Sequence, residues 1–234
     1  QHTFIPTHSP DIPGYDISGV LLPARETSGD FFDFIELESG QLGIVIADVG
    51  DKGAGSALYM AMSRTLIRTY AGENLMNPQQ VLHQVNRRIL TDTQNGIFLT
   101  VVFGILDPQQ GTFTYVNAGH NPPILLSEQD DHMTLTELTK TGTLVGIFAE
   151  NSWEEKSITL HPGEALVLYT DGITEAQNET GEFYGNDRFY DLLTAEFSTS
   201  AEDFRNSILK DIQVFTGTSP RLDDVTLIVI TKPA

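Results

Sequence analysis

The residues with the most chemical content in this chain are aspartates at the ends of apolar runs. Asp48 ends Gly43-Ile44-Val45-Ile46-Ala47 and precedes the glycine-rich turn Gly50-Asp51-Lys52-Gly53-Ala54-Gly55. Asp171 ends Leu166-Val167-Leu168-Tyr169-Thr170 and precedes Gly172, while Asp223 and Asp224 stand immediately before the last apolar run, Val225 to Ile230. Asp30 and Asp33 share the segment Ser28-Gly29-Asp30-Phe31-Phe32-Asp33. Taken singly, an Asp beside a Gly is ordinary turn chemistry. Several carboxylates gathered at strand ends are another matter, because like charges drawn out of water repel unless something compensates them. Hard cations compensate. Oxygen-only donors, with no Cys and no histidine cluster, favour Mg²⁺ or Mn²⁺ over zinc. Two such ions about 3.5–4 Å apart bridge a water, lower its pKa and aim it at phosphorus. The spacing points to a divalent-metal site for phosphate chemistry.

Such a site needs strands to present the carboxylates. Tyr15 to Ala24, Phe31 to Glu38 and Gln41 to Val49 read as strands, the last two joined by a tight turn at Ser39-Gly40. Two helices follow. Over Ser56 to Tyr70, the residues Leu58, Met62, Thr65, Leu66 and Thr69 recur at helical spacing; over Pro78 to Thr93, Val81, Leu82, Val85, Ile89 and Leu90 do the same. Asn77 suits an N-cap, with Pro78 at the first helical position. Both stripes read as core-packing faces. Strands return at Phe98 to Leu106 and Gly111 to Asn117, around the turn Asp107-Pro108-Gln109-Gln110-Gly111. Weaker strands are expected over Pro123 to Ser127, Leu135 to Leu138 and Glu155 to Leu160, and buried ones over Ala165 to Tyr169 and Val225 to Ile230. Helices are expected over Asn186 to Phe197 and Ser200 to Phe215. This order predicts an α+β layered fold, and the antiparallel hairpins argue against a doubly wound sheet.

Composition narrows the function classes. The chain has 234 residues, enough for one large domain, and 40% are hydrophobic, enough for a sizeable core. The formal net charge of -19 disfavours nucleic acid and anionic lipid as partners. With no cysteine, disulfides, thiolate metal sites and a covalent cysteine mechanism are all excluded. No stretch approaches the length of a membrane span, and no signal peptide is present, so no direct membrane insertion is expected and the cytoplasm is the expected location. The Pro- and His-containing residues 1–14 read as a linker remnant, and 15–234 as the functional domain. A start at Gln1 rather than Met reads as a fragment of a longer protein, one that can itself be membrane-tethered.

Five segments together resemble a known family. Pro23-Ala24-Arg25-Glu26-Thr27-Ser28-Gly29-Asp30-Phe31-Phe32-Asp33 resembles the first motif of bacterial PPM-type phosphatases, in the branch of the stage II sporulation phosphatase and the stress-response sigma-factor regulators. Ile46-Ala47-Asp48-Val49-Gly50-Asp51-Lys52-Gly53 resembles the second motif, and Asn117-Ala118-Gly119-His120-Asn121-Pro122-Pro123 a further one. Gly163 to Gly172 and Asp223-Asp224-Val225-Thr226 complete an ordered set that runs from about Tyr15 to Ile230. The resemblance implies an antiparallel β-sandwich flanked by α-helices. It implies Asp30, Asp48, Asp171 and Asp223 as metal ligands, with Asp48 bridging two ions and the Val49 carbonyl joining it. Asp224 is the lesser candidate beside Asp223, and Asp33 is an outer partner or the holder of a third ion. Arg25 matches the place where related eukaryotic phosphatases put a phosphate-binding arginine, against the alternative of a plain exposed side chain.

Two departures stand out. Ser28 replaces a glycine of the first motif, and Gly50-Asp51-Lys52 stands where eukaryotic relatives carry a general-acid histidine. Leaving-group protonation then falls to a metal-bound water or to Lys52, which is otherwise a solvated turn lysine. His120 reads as a turn-holding residue rather than an acid. The resemblance implies hydrolysis of phosphoserine or phosphothreonine on an anti-sigma-factor antagonist protein, control by an N-terminal sensor domain, and leaves a homodimer open. Two rivals remain at this level: a phosphoprotein-binding module without turnover, and another two-metal phosphohydrolase acting on nucleotides.

Overall fold

The structure is a computed structural model that describes residues 4–37, 40–50, 54–72, 77–93, 96–130 and 132–233. Among these residues the chain forms ten strands and four helices: β1 (Asp16–Leu22), β2 (Phe31–Glu36), β3 (Leu42–Val49), α1 (Ala54–Gly72), α2 (Pro78–Asp92), β4 (Leu99–Asp107), β5 (Thr112–Ala118), β6 (Ile124–Gln129), β7 (His132–Glu137), β8 (Lys156–Thr159), β9 (Ala165–Tyr169), α3 (Asn186–Ala195), α4 (Ala201–Thr216) and β10 (Val225–Thr231). Each run expected from the sequence is present as the expected type. All strand pairs are antiparallel, and the chain divides into two compact units with one five-stranded sheet each.

The first unit comprises residues 1–8, 27–120 and 139–159, and its sheet has the order β2-β3-β4-β5-β8. Ser39 of the expected hairpin turn lies outside the described residues. Gly40 adopts φ 76, a left-handed conformation that glycine takes without strain, and the Leu37 amide donates to the Gln41 carbonyl to close the loop. One face of the sheet, with Phe31, Val45, Ala47, Val101 and Phe103, shares a core with α1 and α2. The Asn77 side chain accepts from the Gln80 amide and Pro78 follows it, as expected, and the Gln80 side chain returns the bond to complete a capping box.

The α1 stripe differs from expectation. Its buried face is Tyr59, Met60, Ser63, Ile67 and Ala71, whereas Leu58 is 75% exposed and Thr65 and Thr69 face solvent. Counting threonines as apolar rotated the expected face. The buried set includes a tyrosine and a serine, which pattern-reading discounts. Near the N-terminus, Ile5 packs against this core and Arg64 lies over the Phe4 ring at 5.7 Å.

The second unit comprises residues 9–26, 121–138 and 160–234, with strand order β1-β10-β9-β6-β7. Its core joins Val167, Tyr169, Leu227 and Val229 to Phe189 and Leu193 of α3 and to Phe204, Ile208 and Ile212 of α4. Helix α4 starts at Ser200, whose hydroxyl accepts from the Asp203 amide. Both α4 and the interior strand β10 are anchored by polar ties. Asp16 accepts from the Ala201 amide at 2.8 Å, and Thr231 donates to the Thr199 carbonyl at 2.7 Å.

Candidate metal and phosphate site

In the first unit, register sets the chemistry. Phe31 pairs with Ala47 across β2 and β3, and one further step places Asp30 opposite Asp48. Directly opposed residues share a face, with Cβ atoms about 4.5–5.5 Å apart. That register brings both aspartates to one strand end, Asp30 only 3% exposed and Asp48 half-buried. Val49 is buried and pairs with Leu99. The next residue, Gly50, donates its amide to the Phe98 carbonyl at 2.9 Å, and the Phe98 ring covers it so closely that a Cβ there would sit 2.2 Å from a ring carbon. Ser28, in place of the motif glycine, is buried and donates to the Asp30 carbonyl at 3.1 Å.

Thr100 is a neighbour the sequence reading missed. It pairs with Asp48 across β3 and β4, and its hydroxyl lies 2.9 Å from His120 Nδ1. The His120 amide in turn donates to Asn117 Oδ1 at 2.8 Å. His120 is therefore fixed in its turn, in keeping with a turn-holding role, and it braces the residue next to Asp48. The signal was available: the β4–β5 turn around Asp107-Gly111 implies a register that sets Thr100 opposite Gly119.

Asp33 does something else. Arg68 donates through Nε and Nη2 to its two carboxylate oxygens at 2.9 and 2.8 Å, and Arg64 Nη2 lies 3.1 Å away. That hydrogen-bonded carboxylate raises the Arg68 pKa above its usual value. The expectation of Asp33 as a metal residue gives way to a buried tie between β2 and α1. The reason is parity: Asp33 lies three positions from Asp30, so the strand turns it to the opposite, helix-facing side.

In the second unit, two strand ends are brought together by close backbone packing. Tyr169 pairs with Leu227, and the Thr170 amide donates to the Thr226 carbonyl at 3.1 Å while the Thr226 amide donates to Thr170 Oγ1 at 3.0 Å. Gly172 then meets the Asp224 backbone so tightly that a Cβ would lie 1.9 Å from its carbonyl oxygen. Asp171 and Asp223, both half-buried, stand one residue before Gly172 and one before Asp224 at this contact. Asp224 is buried, and its Oδ1 accepts from the Ala24 amide at 2.8 Å. The same bond brings the exposed Arg25, the next residue, to the edge that carries Asp223. Lys52 lies outside the described residues.

Among the described residues no group of three or more His, Cys, Asp or Glu forms a finished metal cage. Each unit instead presents a pair. The donors of both pairs are carboxylate oxygens, with carbonyls beside them, and this chemistry fits Mg²⁺ or Mn²⁺.

Comparisons with known proteins identify the family. The family model for stage II sporulation protein E (SpoIIE) matches residues 38–233. The chain is 30% identical to phosphoserine phosphatase RsbU of Bacillus subtilis over 99% of its own length and 68% of RsbU. It is 34% identical to protein IcfG of Synechocystis, covering 98% of this chain and 40% of IcfG. The SiaA-PP2C domain of Pseudomonas aeruginosa superposes with a TM-score of 0.80 at 18% identity, covering 92% of this chain and 85% of that domain. The two antiparallel sheets with their helices are the PP2C phosphatase fold, an antiparallel β-sandwich flanked by α-helices. The chain belongs to the SpoIIE family of PPM-type serine/threonine phosphatase domains. It spans well under half of IcfG. No helix among the described residues is long and apolar enough to cross a membrane.

Proposed function

We propose that this chain is a Mg²⁺- or Mn²⁺-dependent phosphoprotein phosphatase that hydrolyses phosphoserine or phosphothreonine on a small anti-sigma-factor antagonist protein. The observation that carries the reading is the register that brings Asp30 and Asp48 to one buried strand end, a concentration of carboxylate oxygens that suits a hard cation. In this reading Asp30, Asp48 and the Val49 carbonyl, with Asp171 and Asp223, hold the cations. When bound, these supply a water activated for attack and neutralise phosphate charge. The chain's own residues do the rest. The planar guanidinium of Arg25 grips the phosphate, and Lys52 gives a proton to the departing seryl oxygen. Thr100 and His120 keep the β3 end in place. Similarity to a phosphoserine phosphatase supports the choice of substrate. A sensor domain N-terminal to this segment, working in the cytoplasm, completes the proposal.

The test is phosphate release from phosphorylated antagonist proteins by the chelated protein before and after Mn²⁺ or Mg²⁺ is restored. Release is expected only with metal. Undiminished release in excess EDTA, or turnover of cyclic nucleotides in preference to phosphoprotein, overturns the proposal.

A further inference from the structure

The second unit carries a groove of about 340 Å³ that no residue of the proposed chemistry explains. Its walls are the loop from Gly172 to Gln177, the C-terminal half of α4, and the loop from Ser219 to Val225. Gly172 and Asp223 belong to the lining, so one end of the groove is the carboxylate edge itself. The lining also holds an apolar set, Leu22, Leu209, Ile212 and Leu222. Leu222 is 52% exposed on the rim. Arg221 stands beside it, its Nη1 donating to the Pro23 carbonyl at 3.2 Å.

We propose that this groove receives an apolar side chain of the phosphoprotein substrate, a few residues along the chain from the phosphorylated serine. The inference rests on the phosphatase reading and adds a specificity surface to it. A peptide whose phosphate lies at the carboxylate edge must leave across the neighbouring surface, advancing about 3.3–3.6 Å per residue. The groove starts at that edge, within two or three residues of reach. Charge selects the occupant. Glu175 on the wall disfavours an acidic stretch, and Leu22, Leu209, Ile212 and Leu222 in the lining suit an apolar side chain. Burying a leucine-sized side chain there removes apolar surface from water on both partners.

The experiment uses phosphoserine peptides in which a single leucine is moved through the flanking positions, with p-nitrophenyl phosphate as a substrate too small to reach the groove. Binding is read by fluorescence anisotropy and hydrolysis by phosphate release. The wild-type chain is expected to prefer leucine at one position by roughly tenfold. Leu222→Ala, and Gln213→Trp on the exposed face of α4 beside the groove, are expected to erase that preference while p-nitrophenyl phosphate turnover stays within about twofold. If the tryptophan variant fails to fold by circular dichroism, Leu222→Ala decides alone. The absence of a positional preference in the wild type, or its survival in the variants, overturns the groove assignment and leaves the phosphatase reading standing. A preference in binding without hydrolysis sustains the groove and sinks the phosphatase reading. A change of oligomeric state in Gln213→Trp with the peptide preference intact assigns the groove to a second copy of the chain and overturns the proposal.

Discussion

The two carboxylate-bearing edges are built by different means. In the first unit Asp30 and Asp48 face each other because a ladder of backbone hydrogen bonds counts residues, and side chains on opposed positions share a face. In the second, the strand ends that carry Asp171 and Asp223 close on each other because Gly172 has no Cβ and the Asp224 backbone occupies that space. The Thr170 hydroxyl and amide then lock the pair of strands on both sides. The first edge is a device of register and tolerates changes of shape, but it sets charge against charge. The second is a device of shape, intolerant of a single added carbon. The two are therefore expected to fail in opposite ways.

The largest effect expected is on turnover. Asp48→Asn and Asp171→Asn keep side-chain shape and remove charge, and each is expected to lower phosphate release by more than the roughly 100-fold that loss of a mere outer partner costs a metal site. Stability separates them. Asp48→Asn relieves a like-charge cross-strand pair, so the metal-free protein is expected to gain about 0.2–1 kcal/mol in urea unfolding. Near wild-type turnover at saturating Mn²⁺ in either variant removes that residue from the ligand set.

Shape is tested by glycine. In Gly172→Ala the new carbon meets a backbone oxygen at 1.9 Å, and backbone cannot step aside without breaking the β9–β10 ladder. A loss of more than about 3 kcal/mol is expected, beyond ordinary overpacking. Gly50→Ala meets the half-buried Phe98 ring at 2.2 Å, and a ring can swing away. Its expected loss is about 1–2 kcal/mol, and Phe98→Ala in the same chain recovers much of it. Equal losses at the two glycines contradict the distinction between backbone and side-chain obstacles.

A smaller effect belongs to the tie between β2 and α1. Asp33→Ala strips the carboxylate from Arg64 and Arg68, whose side chains are 13% and 44% exposed. Breaking a fully buried pair costs about 3–5 kcal/mol, and the half-open Arg68 lowers the expectation to about 2 kcal/mol. Turnover by the folded fraction is expected to persist, since Asp33 faces the helices. Loss of activity without loss of stability restores Asp33 to the metal site.

Much of this was legible in the residues. Period-two runs and turn residues gave the strands, and the Asn77-Pro78 pair gave the start of α2. The register was one step away: a two-residue turn at Ser39-Gly40 would set Asp30 opposite Val49, whereas the ladder that pairs Phe31 with Ala47 points Asp30 at Asp48. What stayed hidden was non-local. Nothing near Gly172 says that residue 224 will press against it, since the strand that brings it there comes last in the chain. The fate of Asp33 was hidden for a related reason: its partners sit on a helix whose buried face the sequence pattern misplaced.

The smallest expected effect tests how α1 is fastened to the first unit, away from either edge. Tyr59 on α1 is buried, and its hydroxyl donates to the Ile97 carbonyl at 2.8 Å. Gly146, at φ 98, leaves room for that hydroxyl, since a Cβ there would lie 2.7 Å from it. Burial pushes the Tyr59 pKa up to about 12. An unfolded chain titrates its tyrosines near ~10, so between these values the folded protein holds a proton that the unfolded chain has lost. The Tyr59 contribution is complete below about pH 10 and is lost as pH rises through about 12. Tyr59→Phe keeps the ring and removes the ionisation. At pH 7 it is expected to cost only about 1 kcal/mol, the worth of one hydrogen bond. Urea unfolding followed from pH 9 to pH 12 is expected to fall less steeply in Tyr59→Phe than in the wild type, with the remaining slope set by residues such as Tyr115 and Tyr169, whose pKa values burial also raises. Parallel curves for the two proteins mean that Tyr59 ionises in the folded state as readily as in the unfolded chain and does not fasten α1 through its proton.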